Sequence, residues 1–304
     1  MSIRFCICVP TLNAGTLWPT WLAKTLPACR GHNLLVIDSS SDDDTACLAR
    51  EAGAEVVIID RNEFNHGGTR SWALKYLKDA EVVVFLTQDA IPCGIKDIEN
   101  LVACFSDPTI GAAFGRQLPH DNATAIAKHG RYFNYPNKSY VVGPQDIPRL
   151  GVKTAFLSNS FAAYRRKALL DAGGFTENVI LSEDMLAGAR LLQADWQLAY
   201  CAEARVYHSH NYSLVEECGR YFDIGVLHAR EAWLLEWLGR AEGEGLRFVR
   251  SELRYLLRDA PHRLPEAGLR TLFKYAGYRL GRMEQCLPLR LKRQLSMHRR
   301  FWNR

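Results

Sequence analysis

The stretch "AEVVVFLTQD", residues 80–89, decides the fold. The run Val82–Leu86 is too short for a buried helix and rich in β-formers, so it reads as a strand covered on both faces. It stops abruptly at Gln88-Asp89. Working outward, "RFCICVP" (4–10), "LLVID" (34–38) and "AEVVIID" (54–60) are strands of the same kind. Between them lie stretches of helical length, "DDTACLAREAG" and "GGTRSWALKYLKDA". Apolar strands alternating with helices predict an α/β fold with a parallel sheet packed on both faces. Ligands of such sheets bind beyond the carboxyl ends of the strands. Three of those ends carry polar residues: Pro10-Thr11 with Asn13, Asp38-Ser39-Ser40, and Gln88-Asp89. All are expected on one edge.

Farther along, Pro119 to about Lys153 is Gly/Pro-rich and predicts a long loop or short hairpin over the site. "KTAFLSNSFAAYRRKALLDAGGF" predicts a strand, a helix and a Gly-Gly stop, "LSEDMLAGARLLQADW" a helix, and "QLAYCAEARVYHSHNYS" a strand. Beyond about residue 216 only helical patterns remain. The expected division is therefore a catalytic domain over 1–215 and a basic, amphipathic helical region over 216–304. In 216–238, Phe222, Val226, Ala229, Trp233 and Trp237 share a helical face. In 246–258, Leu246, Val249, Leu253 and Leu257 form an apolar stripe beside a basic one of Arg247, Arg250, Arg254 and Arg258.

The 304 residues are 48% hydrophobic, which excludes global disorder. Nine scattered cysteines form no CxxC pair and no zinc spacing, as expected of reduced thiols in a cytoplasmic protein. "MSIRFCICVPTLN" lacks the apolar core and cleavage site of a signal peptide, and no apolar run has the length of a bilayer span. Charge is unevenly placed. Residues 240–304 hold 16 Lys+Arg against 6 Asp+Glu, and the rest hold 22 against 27. Such a tail speaks about partners rather than fold.

Each candidate site residue has a plain alternative. Asp38 suits a nucleotide's ribose or base, or caps the next helix, although Ser40, Ser41 and Asp42 could do that. "PTLNAGT" after the first strand is not GxGxxG, which argues for a mononucleotide-type ligand. In "NHGGTRSW" (65–72), Gly67 and Gly68 at a helix start with Arg70 in the first turn suit a diphosphate, or form only a turn. Asp89 at the mouth of a buried strand needs either a divalent cation or access to water. Glu183 and Asp184 open a helix, where the macrodipole favours acids and where a general base could stand. His208 and His210, two apart on a strand, point to one side and could bind metal or serve as a structural pair.

In order along the chain, "CICVPTLN", "VIDSSSDDDT", "HGGTRSWAL", "FLTQDAIP", "FAAYRRKALLDAGGFTE", "SEDMLAGARLLQADWQL" and "ARVYHSH" resemble the GT-A nucleotide-sugar glycosyltransferases of family 2. The resemblance covers roughly residues 3–215. Finer details, "DRNEFNHGGTR" and "RYFDIGVLHAR" among them, look most like the bacterial rhamnosyltransferases of lipopolysaccharide or capsule assembly. The resemblance implies a GT-A fold, a Rossmann-like nucleotide-binding mixed sheet flanked by helices with a C-terminal helical extension, in which Pro10, Thr11, Asn13, Asp38, Gly67, Gly68, Arg70 and Gln88 bind the nucleotide sugar. Asp89, with His208 or His210, would hold Mg²⁺ or Mn²⁺. Asp184, beside Glu183, would be the base of an inverting transfer. Two positions depart from the family pattern. The first carboxylate of DxD is replaced in Thr87-Gln88-Asp89, and Ser71 stands where an Asn is common. No QxxRW occurs, so the resemblance implies single-sugar transfer.

The implied donor is dTDP-L-rhamnose and the implied acceptor a glycan or lipid-linked glycan hydroxyl. The basic 240–304 stretch would meet an anionic membrane surface from the cytoplasmic side, with no nucleic-acid partner. Two rival readings are a family 2 transferase of UDP-glucose, UDP-galactose or a UDP-N-acetylhexosamine, and a non-catalytic membrane or nucleic-acid binder with a degenerate nucleotide fold.

Overall fold

The computed structural model describes residues 3–29, 31–239 and 243–303. The chain runs β1 (Phe5–Thr11), α1 (Trp18–Cys29), β2 (Leu34–Asp38), α2 (Thr45–Glu51), β3 (Glu55–Ile58), α3 (His66–Tyr76) and β4 (Val82–Leu86). It continues through β5 (Ile91–Pro92), α4 (Asp97–Ala103), β6 (Ile110–Leu118), α5 (Ala125–Asn134), β7 (Tyr140–Val142), α6 (Ile147–Leu150) and β8 (Phe161–Arg165). Next come α7 (Arg166–Asp171), α8 (Glu183–Gln193) and β9 (Gln197–Tyr207). The last helices are α9 (Leu214–Arg230), α10 (Ala232–Leu238), α11 (Glu244–Asp259), α12 (Leu264–Arg282) and α13 (Leu289–Leu295).

The strands form one sheet in the order β3-β2-β1-β4-β8-β6-β9-β5, with β7 also paired to β9. The first four strands are parallel, as their apolar runs predict, and Thr11 lies opposite Asp38 in the ladder. The sheet as a whole is mixed, as the resemblance implies, because β8 runs antiparallel between β4 and β6. The region from Pro119 to Lys153 is likewise more ordered than a loop. It holds α5, whose N-cap Thr124 accepts from the Ala127 N–H at 3.2 Å, then β7 and α6.

Alternate residues of β4 enter two different cores, one on each sheet face. Val83 and Phe85 join a cluster with α3, α8, α9, α10 and Trp302. Val82, Val84 and Leu86 join one with α1, α2 and α4. Helices α9 and α10 therefore share a core with the sheet, whereas Leu256 of α11 and Ala267 of α12 pack in a separate cluster with Ile126 of α5. The 216–238 face is interrupted at Glu231, where α9 ends and α10 begins, so it is carried by two helices.

Helices α9 and α12 cross almost in backbone contact. A Cβ added at Gly281 would stand 2.0 Å from the Phe222 carbonyl oxygen, and one at Gly277 2.3 Å from that of Cys218. Only glycine permits this approach. On helix α11, Leu246, Val249, Leu253 and Leu257 are exposed, while Glu252 and Leu256 face inward. Among the described residues no helix is long and apolar enough to cross a membrane.

Candidate active site

Strand ends bring the first group together, as β1, β2 and β4 stop at one edge. Asp38 is buried; its Oδ2 accepts from Thr11 Oγ1 at 2.9 Å and Ser41 Oγ at 2.6 Å, and its Oδ1 from the Ser41 N–H at 2.8 Å. Asn13, at φ 47°, accepts from the Asp42 N–H at 2.8 Å, and Pro10 precedes it in the ladder opposite Ile37. Gln88 pins the same loop. Its Oε1 accepts from the Leu12 N–H at 2.8 Å, and its Nε2 donates to the Leu12 carbonyl at 3.1 Å. The middle residue of Thr87-Gln88-Asp89 thus ties β4 to the loop after β1. Trp21 holds the other side of this turn, donating from Nε1 to the Thr87 carbonyl at 3.0 Å.

Asp89 follows, and His208 and His210 meet it from the end of β9. The two Nε2 atoms lie 3.5 and 3.7 Å from Asp89 Oδ2. All three ligand atoms fall within 4.8 Å of one another. Burial alone would raise the Asp89 carboxyl, but the neighbouring His208 and His210 outweigh it and hold it well below the usual carboxylate range. Burial lowers both imidazoles, His210 to about 4.

Gln117, buried on β6, settles the orientation of His208. Its Oε1 accepts from Arg131 Nη1, and arginine can only donate, so the amide cannot be turned over. The same Oε1 lies 2.8 Å from His208 Nδ1, which must therefore carry a proton. A neutral His208 then turns the lone pair of Nε2 toward a carboxylate. Two acceptors facing each other need a proton or a metal cation between them. One carboxylate and two neutral imidazoles form a donor set suited to Mn²⁺ and acceptable for Mg²⁺.

The two acids opening α8 have separate surroundings. Glu183 is buried; its Oε1 accepts from Arg70 Nη1 at 2.9 Å and Asn159 Nδ2 at 3.0 Å. Burial would raise its carboxyl, yet Arg70 and the other partners leave it lowered. Asp184 faces the cleft, with Oδ2 accepting from the Asn159 N–H at 3.0 Å and Oδ1 from the Met185 N–H at 2.8 Å. Burial, and then the Glu183 charge, push Asp184 up to about 7. Ser182, immediately before them, has φ 60°, a conformation costly for a non-glycine residue and often kept at working sites.

Arg70 points inward onto Glu183 and does not line the cleft. Gly67 and Gly68 pack into the same wall. A Cβ at Gly67 would stand 1.9 Å from the Thr176 carbonyl oxygen, and the Gly68 N–H donates to the Asn65 side chain at 2.8 Å.

Asp89, Asp184, His208 and His210 share one cleft of about 560 Å³. Asp89 and His210 also line a second, opening past Leu17, His120 and Tyr212. Helices α9, α11 and α12 complete the first, contributing Arg220, Tyr221, Phe248, Glu252, Arg270 and Lys274. Helix α9 starts close behind His210 because Ser213 and Glu216 cap each other: the Ser213 N–H donates to Glu216 Oε2 at 2.8 Å and the Glu216 N–H to Ser213 Oγ at 3.2 Å.

The model of Glycosyl transferase family 2 matches residues 6–172. The O-antigen chain rhamnosyltransferase RfbN of Salmonella typhimurium is 49% identical over 303 residues, covering 99% of this chain and 96% of that protein. The chain is a family 2 glycosyltransferase. The O-antigen chain rhamnosyltransferase WbaN of Salmonella anatum is 47% identical, with 98% of this chain and 96% of that protein covered. Among solved structures, the mannosyltransferase PcManGT of Pyrobaculum calidifontis in complex with GDP-Man and Mn²⁺ superposes with a TM-score of 0.64. That match covers 94% of this chain and 88% of the other at 17% identity. S. aureus TarS 1-349 in complex with UDP-GlcNAc gives 0.55, covering 93% and 92% at 16% identity. These likenesses show the GT-A fold.

Sequence reasoning missed Gln117, Arg131 and Asn159 in this family 2 site. Strand β6 was not read as a strand, although Gln117 is a polar residue closing the otherwise apolar run "IGAAFGRQL".

Proposed function

We propose that the protein is an inverting rhamnosyltransferase that moves L-rhamnose from dTDP-L-rhamnose to a hydroxyl of an O-antigen or other cell-surface glycan acceptor. The observation that carries the mechanism is Asp184, raised to about 7 and facing the same cleft as Asp89, His208 and His210. Near-full-length identity to two O-antigen rhamnosyltransferases supports the sugar and the pathway.

In this reading Thr11, Asn13 and Asp38 receive the nucleoside at the strand ends, and Gln88 holds that loop in place. Asp89, His208 and His210 hold Mn²⁺ or Mg²⁺. Bound there, the cation neutralises charge on the departing diphosphate. Asp184 takes the proton of the acceptor hydroxyl, whose oxygen attacks the anomeric carbon from the face opposite the leaving group. The carbon–oxygen bond to the diphosphate breaks, its electron pair leaves with the nucleotide, and the configuration inverts. A base near pH 7 is matched to this task. Arg70, which the resemblance assigns to the diphosphate, acts here through Glu183: it keeps Glu183 ionised, and that charge helps raise Asp184.

Peripheral contact with an anionic membrane from the cytoplasmic side belongs to the same proposal. The exposed Leu246, Val249, Leu253 and Leu257 of α11 support it, as does the adjoining row Arg247, Arg250, Arg254 and Arg258. Of the basic stretch, residues 240–242 and 304 lie outside the described residues.

The test is a panel of nucleotide sugars with and without Mn²⁺, run on wild type and Asp184→Asn. Transfer from dTDP-L-rhamnose alone, lost in the variant while dTDP still binds, is the expected result. Full activity in Asp184→Asn removes Asp184 from the role.

A further inference from the structure

The wall of the cleft built by α9, α11 and α12 contains a buried carboxylate oxygen with no donor. Glu252 is 3% exposed, and its Oε1 has no hydrogen-bond partner among the described residues. His129 Nδ1, also unpartnered, stands 3.9 Å away, too far for a hydrogen bond. His129 is pushed down to about 4 by burial and Lys274, so it is neutral and supplies no charge. Lys274 is committed elsewhere, 3.0 Å from Glu217 Oε1 and over the rings of Phe248 and Tyr221 at 5.0 and 5.8 Å. Burial raises the Glu252 carboxyl above its ordinary value. Lys274 and Arg270 lower it through their charges but donate nothing to Oε1. A buried carboxylate oxygen left without a donor costs stability, so its retention beside a cleft points to a ligand.

The surroundings narrow the chemistry of that ligand. Arg220, Arg270 and Lys274 line the same wall, which disfavours a cation. Phe248 and Tyr221 add apolar ring surface next to the carboxylate. Ring faces beside an acceptor-only group suit a pyranose, whose C–H face packs on aromatics while its hydroxyls donate. The strand-end edge is occupied by the nucleotide in the reading above, and this wall lines the same cleft as Asp184.

We propose that Glu252, with Phe248 and Tyr221, forms the subsite for a pyranose ring of the acceptor glycan, the carboxylate accepting hydrogen bonds from ring hydroxyls. The proposal rests on the glycosyltransferase reading and adds the place and class of its acceptor.

The test uses the full chain with Mn²⁺, dTDP-L-rhamnose and four octyl pyranosides (gluco, galacto, manno and rhamno) as acceptors. Glu252→Leu should raise the acceptor KM at least tenfold, and Glu252→Gln less. The dissociation constant of dTDP with Mn²⁺ should stay within twofold in both. Glu252→Leu should also melt at or above the wild-type temperature, because it removes an unpartnered charge. An unchanged KM in both variants overturns the proposal. So does a lower melting temperature with dTDP binding lost in parallel, which marks Glu252 as structural. Wild type that consumes the donor but transfers to none of the four overturns the pyranose class. Wild type that binds neither dTDP nor UDP with Mn²⁺ overturns the transferase reading, and this subsite with it.

Discussion

Gln117 on β6 accepts the Nδ1–H of His208 at 2.8 Å, and this bond determines which imidazole nitrogen faces Asp89. The orienting group is itself oriented by Arg131, which donates to the same oxygen. A metal-ligating histidine held this way presents the correct nitrogen without having to search for it. Loss of such partners typically weakens metal binding by about 10–100-fold. Gln117→Leu should therefore lower Mn²⁺ affinity by that factor in an EPR titration, whereas Gln117→Glu, which keeps the accepting oxygen, should not. A ¹⁵N spectrum of His208 gives the independent readout: its protonated nitrogen is Nδ1 in wild type and mixed in Gln117→Leu.

The pH profile should follow Asp184. Its folded value is raised to about 7, chiefly by burial and then by Glu183. A general base works only when ionised, so kcat/KM should be flat above about pH 8. It should fall as pH drops through about 7, approaching tenfold per unit below it. An acidic limb near 4 would mean that the reaction's base is an ordinary exposed carboxylate and not this one.

Much of this site was legible in the chain because its carriers end buried strands. A carboxylate after four or five buried apolar residues needs an explanation, and Asp38 and Asp89 stand where the runs stop. The pairing of α3 with α8 was not legible. Arg70 and Glu183 are 113 positions apart, and nothing local says that the guanidinium turns inward. The α11 stripe was legible only as a pattern. Periodicity locates an amphipathic face but does not say which face the core takes, and here the core took Glu252 and Leu256. The antiparallel β8 escaped because an apolar strand reads the same in either direction.

The crossing of α9 and α12 should tolerate no side chain at its closest point. Gly281→Ala would place a methyl 2.0 Å from the Phe222 carbonyl oxygen, backbone that cannot move without carrying α9 with it. The helices must separate, at a cost of roughly 1–3 kcal/mol. In differential scanning calorimetry the melting temperature should fall by on the order of 5 °C. Since α9 and α12 also line the cleft, acceptor KM should rise in the same variant. Gly268→Ala, on the same helix but with nothing within 4 Å of the added methyl, is the control and should melt like wild type or slightly higher.

The outer face of α11 should act as an electrostatic and apolar anchor together. Leu253 and Leu257 are 49% and 56% exposed, an arrangement a soluble surface has no need of in a continuous row. Each basic side chain near an anionic leaflet contributes about 1 kcal/mol, and the contribution fades with salt. Arg250→Glu with Arg254→Glu should therefore weaken sedimentation with phosphatidylglycerol vesicles by about 30-fold at low salt, counting lost attraction alone. Leu253→Ser with Leu257→Ser should weaken it at low and high salt alike, because apolar burial is not screened. Neither pair reaches the cleft, so turnover of a water-soluble acceptor should match wild type while turnover of a vesicle-borne acceptor falls. Equal losses on both acceptors would place α11 in folding or catalysis and remove the membrane from its role.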